Sequence, residues 1–288
     1  MYYLLILISV IMFGGSFALN DAYRKMRGSG LKISLESTLV GSLAGLAVLV
    51  IINGFRFELT AFTLIMALLS ALNSIGFTFC SFRALDHINL SLFSLFSMLG
   101  GMVLPFLQGI FFYDEGITVA KIVCFVFICA ALLMTVSHGE RKKKGAIYYA
   151  GIFTLNGMSG VITKLYTEAP FPKASAAGYS IWIAVCTVAL SGLLLLLLFQ
   201  RKKGEKPYTW QACGVCALHG TVGKVANFIL VIALAHVDAS VQYPMVTGGV
   251  MIVSTLICLL GDRKPSKKEI LSVVLAFIGM LALFAIPI

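Results

Sequence analysis

One lysine stands in the middle of a long apolar run. Lys224 lies within residues 208–235, and a charged side chain at the centre of a bilayer costs about 2.5–3.5 kcal/mol on insertion scales. None of the 12 acidic residues lies mid-run, so the sequence offers no ion-pair partner within a span. A lysine stem is too short to carry the ammonium from there to the interface. We therefore expect Lys224 to face a polar cavity, where it favours a carboxylate or phosphate ligand.

Small and polar side chains share a helical face with this lysine. Gly220, Lys224 and Asn227 follow the three- and four-residue spacing of one helical side. A similar stripe in the third apolar run includes Asn73 and Thr78. Such stripes either line a cavity or let helices pack closely, and the sequence leaves both interpretations open.

His219 has a structural and a chemical interpretation. It lies about one turn before Lys224, where a membrane histidine is either hydrogen-bonded in place or a proton site. With Ser159 of a G-x-S-G motif, it resembles the Ser–His dyad of rhomboid-type intramembrane proteases. A second G-x-S ends at Ser16 without any catalytic need. Proteolysis is therefore the weaker alternative.

Polar residues of several runs form the predicted substrate-binding set. Its members are Ser16, Asn73, Thr78, Ser94, Ser97, Asn156, Ser159, His219, Lys224, Asn227, Gln242, Tyr243 and Thr247. We predict no catalytic residue, no metal ligand and no cofactor.

Two short motifs are explained by packing. Cys213 and Cys216 form a C-x-x-C, but no second pair follows, and thiols in apolar spans behave as small hydrophobic side chains. Gly41 and Gly45 form a G-x-x-x-G, which is typical of close helix contact in membranes.

The elements that position these residues are membrane-spanning helices. The chain has 288 residues, of which 59% are hydrophobic and 12% charged, and its mean hydropathy is +0.98. Soluble domains carry about 25% charged residues, so a water-soluble globule is excluded. Because the apolar runs are continuous, they predict an all-α integral membrane protein rather than a barrel. Ten runs are long enough to span, at residues 2–19, 33–52, 59–82, 88–112, 117–136, 146–166, 174–199, 208–235, 239–260 and 270–286.

The sequence repeats itself at about half its length. Residues 84–91 resemble residues 233–240 at an offset of 149, and Gly14 matches Gly157 at an offset of 143. Five helices per repeat is an odd number, so the second copy enters the membrane from the opposite face. This predicts two inverted repeats, an arrangement that many secondary transporters use.

These features resemble the EamA-type drug/metabolite transporter superfamily. The resemblance rests on the Ala-Leu entries to the fourth and ninth runs, on Gly100-Gly101 and Gly248-Gly249, and on Pro105 and Glu115. It covers residues 1–138 as the first five-helix repeat and 145–288 as the second. The chain departs from the pattern at Pro244 and Lys264. The resemblance implies a carrier whose central cavity is lined by the first, third, fourth, sixth, eighth and ninth helices.

The basic residues gather on one side of the predicted spans. The net charge is +10 and the pI about 9.3, which membrane topology explains without a nucleic-acid partner. The odd-numbered connections hold Arg24, Lys25, Arg27, Lys32, Arg83, Arg141, Lys142, Lys143, Lys144, Arg201, Lys202, Lys203, Lys206, Arg263, Lys264, Lys267 and Lys268. The positive-inside rule places these connections in the cytoplasm and both termini outside, in a multi-pass protein of the plasma membrane.

Together these patterns predict a secondary transporter in the lipid bilayer. It would move a small anionic or zwitterionic metabolite by alternating access around a midplane cavity. A proton is a candidate coupling ion, held on Lys224 when an anion is bound. The sequence is compatible with a monomer or a homodimer. The alternatives are the Ser159/His219 protease and a membrane scaffold that transports nothing.

Overall fold

The computed structural model is all-helical over the residues that it describes. These are residues 2–88, 90–113, 118–136, 146–198, 209–234, 236–237, 239–260 and 264–285. Ten helices lie within them: α1 (Tyr2–Arg27), α2 (Leu31–Ile52), α3 (Ala61–Leu85), α4 (Leu90–Phe112), α5 (Val119–Val136), α6 (Ala146–Glu168), α7 (Ala176–Leu198), α8 (Trp210–Leu234), α9 (Ala239–Leu260) and α10 (Lys267–Ala285). Glu115 and the basic residues of the predicted 5–6 and 7–8 connections lie outside the described residues, as does Arg263.

The first helix is longer than the sequence predicts. It continues past residue 19 to Arg27 because its polar residues find partners. Arg24 donates hydrogen bonds to Asp21 and, at the end of α3, to Asp86, with both N···O distances at 2.8 Å. Gly28 then takes a positive φ of 102°, and its N–H donates to the Arg24 carbonyl. This left-handed conformation suits glycine and ends the helix.

Six of the described helices are long and apolar enough to cross a membrane. They are α1, α2, α3, α7, α8 and the part of α4 from Leu92. Large apolar side chains cover their outer surfaces, such as Leu196 at 81% exposure and Phe112 at 79%. Lipid around the helices removes the free-energy cost of such surface in water. The structure therefore confirms an all-helical membrane protein, while the expectation of ten spans stays a prediction.

Helices from the two halves of the sequence pack mainly against each other. Helix α1 packs against α8 and α9, and α6 packs against α3 and α4. In the same way α2 packs against α8, and α3 against α7. Three further pairs, α2 with α7, α4 with α9 and α5 with α10, complete the bundle.

Glycines allow the closest of these approaches. A Cβ atom built on Gly100 of α4 would lie 1.9 Å from the carbonyl oxygen of Phe153 of α6. A Cβ on Gly249 of α9 would lie 2.7 Å from Cγ1 of Val10 of α1. Since real Cβ atoms do not come this close, neither position tolerates a side chain without a shift of the helices.

A second pair of glycines makes close contacts between the same pairs of helices. A Cβ on Gly157 of α6 would lie 2.5 Å from Cδ1 of Leu104, and a Cβ on Gly14 of α1 would lie 2.3 Å from Cγ1 of Val253. The glycines differ by the sequence offset of 143, and their neighbours differ by 149. The offsets of 143 and 149 found in the sequence thus relate the contact of α6 with α4 to the contact of α1 with α9.

Candidate functional site

A cavity of about 300 Å³ lies in the middle of the bundle. Its wall is formed by α1, α2, α3, α4, α6, α7, α8 and α9. The resemblance implied six of these helices, and α2 and α7 are additions from the structure. Within the described chain, the wall holds Lys224 as its one lysine and contains no aspartate or glutamate.

The structure brings most of the predicted binding residues to this wall. Those that line the cavity are Ser16, Asn73, Thr78, Asn156, Ser159, His219, Lys224, Asn227, Gln242, Tyr243 and Thr247. Asn20, Ser70 and Ser81 of the neighbouring turns line it as well. The polar stripes of α3 and α8 therefore face the cavity.

Two predicted residues lie elsewhere. Ser94 and Ser97 of α4 are fully buried and do not line the cavity. The hydroxyl of Ser94 accepts a hydrogen bond from Ser254 of α9, and the carbonyl of Ser97 accepts one from Asn156 of α6 at 2.7 Å. These neighbouring helices cover both serines, and α4 contributes Met98 and Gly101 to the wall instead.

Lys224 stands near the midpoint of α8 and is half-buried. Its ammonium has no hydrogen-bond or ion-pair partner among the described residues. The stem lies against the backbone of α2, where a Cβ built on Gly45 would come within 2.7 Å of the lysine Cγ. The charge therefore projects from a packed helix interface into a cavity whose described wall offers no counter-ion, which favours an anionic ligand.

His219 is tied to α1. Its Nδ1 lies 2.9 Å from the carbonyl oxygen of Ser16, and a carbonyl only accepts, so Nδ1 carries a proton; in the neutral ring Nε2 then keeps its lone pair. The Ser16 hydroxyl is also 2.9 Å from Nδ1 and donates to the His219 carbonyl at 3.3 Å. The structure gives this histidine a cross-helix bond and leaves one ring nitrogen as an acceptor.

The Ser–His dyad of a protease is not formed. Ser159 is exposed in the wall of the cavity, and no hydrogen bond joins it to His219 among the described residues. The hydrogen bonds of His219 to Ser16 use Nδ1, and Ser159 makes no bond to Nε2 among the described residues. Nothing in this geometry activates the Ser159 hydroxyl as a nucleophile.

Several wall residues bond to backbone carbonyls of neighbouring helices. Asn73 donates to α6 at 2.8 Å, Tyr243 to α6 at 3.2 Å and Thr247 to α4 at 3.3 Å. Gln242 donates to α8 at 3.0 Å, while its Oε1 is buried without a partner among the described residues. These side chains both hold helices together and present polar atoms to the cavity, so the two interpretations of the stripes are compatible.

The sequence did not point to α2 and α7 as cavity helices. Ser37, Thr38 and Ser42 of α2 line the wall, and so does Ser180 of α7. Ser37 and Thr38 precede the G-x-x-x-G motif, and Ser42 lies within it. Because that motif brings α2 against α8, these hydroxyls reach the cavity, and the motif was the available signal.

The C-x-x-C is not bridged. Cys213 and Cys216 form no disulfide with each other, and the Cys216 thiol donates to the Ser37 carbonyl at 3.2 Å. No group of metal-ligating side chains suited to an ion is present among the described residues.

A second polar cluster, the loop cluster, lies where the 2–3 and 6–7 connections meet. The backbone N–H of Ser175 donates to the Glu58 carboxylate at 2.8 Å, and the Trp182 ring N–H donates to the Glu58 carbonyl at 2.8 Å. Hydrogen bonds from the Ser175 backbone and hydroxyl lower the pKa of Glu58 below its ordinary value. The hydrogen bonds of Ser175 and Trp182 to Glu58 connect the start of α3 to the start of α7.

Buried hydroxyls continue the loop cluster inward. The Tyr166 hydroxyl donates to the Ala174 carbonyl at 2.8 Å, and the Ala174 N–H donates to the Thr63 hydroxyl at 3.0 Å. The hydroxyl oxygens of Thr63 and Tyr166 are 3.2 Å apart. The two halves of the sequence are therefore bonded to each other at this end of the bundle.

Comparison with known proteins places the fold but not the function. No protein-family model matches the sequence, and no curated protein matches it. The structure matches 28 chains of solved structures. One, described only as "Crystal structure of protein", has a TM-score of 0.69 and 17% identity over 99% of this chain and 97% of its own. This chain shares that fold. At this identity the similarity shows the fold alone and says nothing of a substrate.

Proposed function

We propose that this protein is a secondary transporter for a small anionic or zwitterionic metabolite. The observation that carries the proposal is the unpaired ammonium of Lys224 in a central cavity whose described wall has no carboxylate. A fixed cation attracts an anion, and a site between two packed halves suits alternating access. A zwitterion would bind through its carboxylate in the same way.

The architecture that we propose is two inverted five-helix repeats spanning the membrane ten times. The paired contacts of α1 with α8 and of α6 with α3 support it, as do those of α1 with α9 and of α6 with α4. The glycine contacts related by the same two sequence offsets support it further. On these grounds, together with the residues quoted above, we assign the chain to the EamA-type drug/metabolite transporters.

We further propose a multi-pass location in the plasma membrane with both termini outside. The support is the charge asymmetry of the sequence, since basic residues favour the cytoplasmic side. In this orientation the Arg24 end of α1 faces the cytoplasm, and the loop cluster around Glu58 faces outward. A monomer or a homodimer fits the proposal equally.

A proton is the coupling ion that we propose. An ammonium in the empty cavity lacks a counter-charge, so it releases a proton more readily than when an anion is bound beside it. Binding of an anion and of a proton would then favour each other. The lone pair on Nε2 of His219 offers a second place for the proton within the same wall.

The test is uptake into proteoliposomes from a panel of carboxylates, phosphate esters, amino acids and quaternary ammonium compounds. We expect uptake of an anion or zwitterion, and Lys224→Gln should abolish it while Lys173→Gln, at an exposed loop position, should not. Lys224→Arg keeps a charge that cannot be released, so it should retain binding but lose accumulation driven by a pH gradient. Transport of quaternary ammonium compounds alone would contradict the proposal, and no transport at all would favour a scaffold.

A further inference from the structure

We propose that Gly45 is a positioning residue for Lys224. The bare backbone of α2 at Gly45 forms the surface on which the lysine stem rests, and this sets where the ammonium stands in the cavity. The inference rests on the proposed function, in which Lys224 holds the anion. It gives the second glycine of the G-x-x-x-G a role beyond helix packing.

The contact occurs near the root of the lysine side chain. A Cβ on Gly45 would lie 2.7 Å from Cγ and 3.1 Å from Cβ of Lys224. Since these atoms are next to the α8 backbone, the flexible end of the side chain cannot absorb the overlap. An added methyl group therefore forces a different χ1 rotamer and displaces the ammonium at the far end of the stem.

Moving the two helices apart to relieve this overlap would open their closest backbone contact. One turn earlier, Gly41 and Gly220 bring the backbones of α2 and α8 together, and a Cβ on Gly220 would lie 2.1 Å from the Cα of Gly41. This crossing fixes the separation of the two helices next to Gly45. The two glycines of the motif therefore have different roles: Gly41 sets the distance between the helices, and Gly45 accommodates the lysine.

The experiment follows the Lys224 amine directly and needs no substrate. The full chain, purified in detergent, is reacted with acetic anhydride over a range of pH, and peptide mass spectrometry measures acetylation at Lys224 and at the exposed Lys173. We expect Gly45→Ala to change the rate at Lys224 by about threefold or more, the size of effect that a rotamer penalty gives, with Lys173 unchanged. The size of the change, not its sign, is the test.

The matched control is Gly15→Ala in α1, where an added Cβ meets nothing within 4 Å. It should leave the rate and pH profile of Lys224 acetylation at parental values. If Gly45→Ala also leaves them there, Gly45 does not position the lysine and the inference is overturned.

A folding failure of Gly45→Ala would be equally informative. The added methyl group also approaches the Gly220 carbonyl oxygen, at 3.2 Å. If the overlap with the lysine stem is responsible, the double variant Gly45→Ala/Lys224→Ala should fold again, because alanine lacks the Cγ atom. If the double variant fails as well, the backbone contact is responsible and the inference fails. Uptake by Lys224→Gln tests the proposed function separately, whatever the acetylation shows.

Discussion

The aromatic rings of Tyr166 in α6 and Tyr179 in α7 stack with their centroids 3.8 Å apart and their planes 9° from parallel. The stack joins the loop cluster to the cavity. The Tyr166 hydroxyl bonds to Ala174 in the loop cluster, while the Tyr179 hydroxyl lies 2.9 Å from the hydroxyl of Ser70 in the cavity wall. A movement at the loop cluster would therefore reach Ser70 through two rings in contact.

The first prediction concerns the inner end of this stack. Tyr179→Phe keeps the ring and removes the hydroxyl, so we expect a loss of about 1 kcal/mol of stability from the lost hydrogen bond to Ser70. Urea unfolding in mild detergent measures it. Tyr148→Phe is the control, since the Tyr148 ring packs edge-on to Phe79 and its hydroxyl makes no hydrogen bond among the described residues. An equal loss in both variants would mean that the Tyr179–Ser70 bond contributes nothing.

The second prediction concerns the crossing of α2 and α8. Gly220→Ala places a methyl group 2.1 Å from the Cα of Gly41, and backbone cannot yield as a side chain does. We expect a loss of about 3 kcal/mol or more, the upper end for overpacking, or failure to fold.

The same helix supplies the control for this variant. A Cβ on Gly214 of α8 would meet nothing within 4 Å, so Gly214→Ala should be neutral or should stabilise by about 1 kcal/mol through helix propensity. Melting temperatures of the two variants in one detergent decide the point. Similar melting temperatures would contradict the contact between the two glycine backbones.

The sequence predicts the helices and most of the cavity for one physical reason. Placing a polar side chain in the membrane costs free energy. The stripes containing Asn73 and Lys224 therefore indicate that these helix faces meet a polar surface. The all-helical membrane class follows from continuous apolar runs and is confirmed. Helix α1 is longer than the apolar run because the pairing of Arg24 with Asp86 makes the added turns favourable. These two residues are far apart in the sequence, so local spacing does not reveal the pairing.

What the sequence could not supply is the identity of each helix's neighbour. Ser97 and Thr247 look alike as hydroxyls within apolar runs, yet Ser97 is fully buried away from the cavity and Thr247 lies in its wall. Ser42 was missed for the converse reason, because its exposure to the cavity depends on how closely Gly41 lets α2 approach α8. Helical spacing gives the face of a residue but not what stands opposite that face.

The third prediction concerns the bond between α8 and α1. His219→Phe removes the donor to the Ser16 carbonyl and keeps a ring of similar size, so we expect a loss of about 1–2 kcal/mol of stability. Leu218→Ala, at an outward-facing neighbour that is 52% exposed, should cost less in the same unfolding measurement. If transport is coupled to protons only through Lys224, the variant should still accumulate substrate under a pH gradient. Loss of that accumulation with binding intact would move the proton site to His219.

The last prediction concerns pH and the loop cluster. The N–H and hydroxyl of Ser175 hold the pKa of Glu58 below its ordinary value, with a smaller contribution from Arg56. Because the folded protein lowers this pKa, the stabilisation from Glu58 is complete above the unfolded value of about 4.3. It is lost as the pH falls through the lower, folded value.

Glu58→Gln separates the charge from the hydrogen bond. Glutamine can still accept from the Ser175 N–H, but it does not titrate, so the variant should melt below the parent at neutral pH. The difference in melting temperature should shrink as the pH is lowered from about 7 toward 3, since the parent carboxylate becomes neutral too. A difference that stays constant across this range would show that the Glu58 charge does not stabilise the folded protein. If the loop cluster also closes the outer end of the cavity, Glu58→Gln should speed the reaction of a cysteine introduced at Ser70 with a membrane-impermeant maleimide added from outside. Both proteins are compared at neutral pH, where the uncharged glutamine accepts a weaker bond from Ser175 than the carboxylate does.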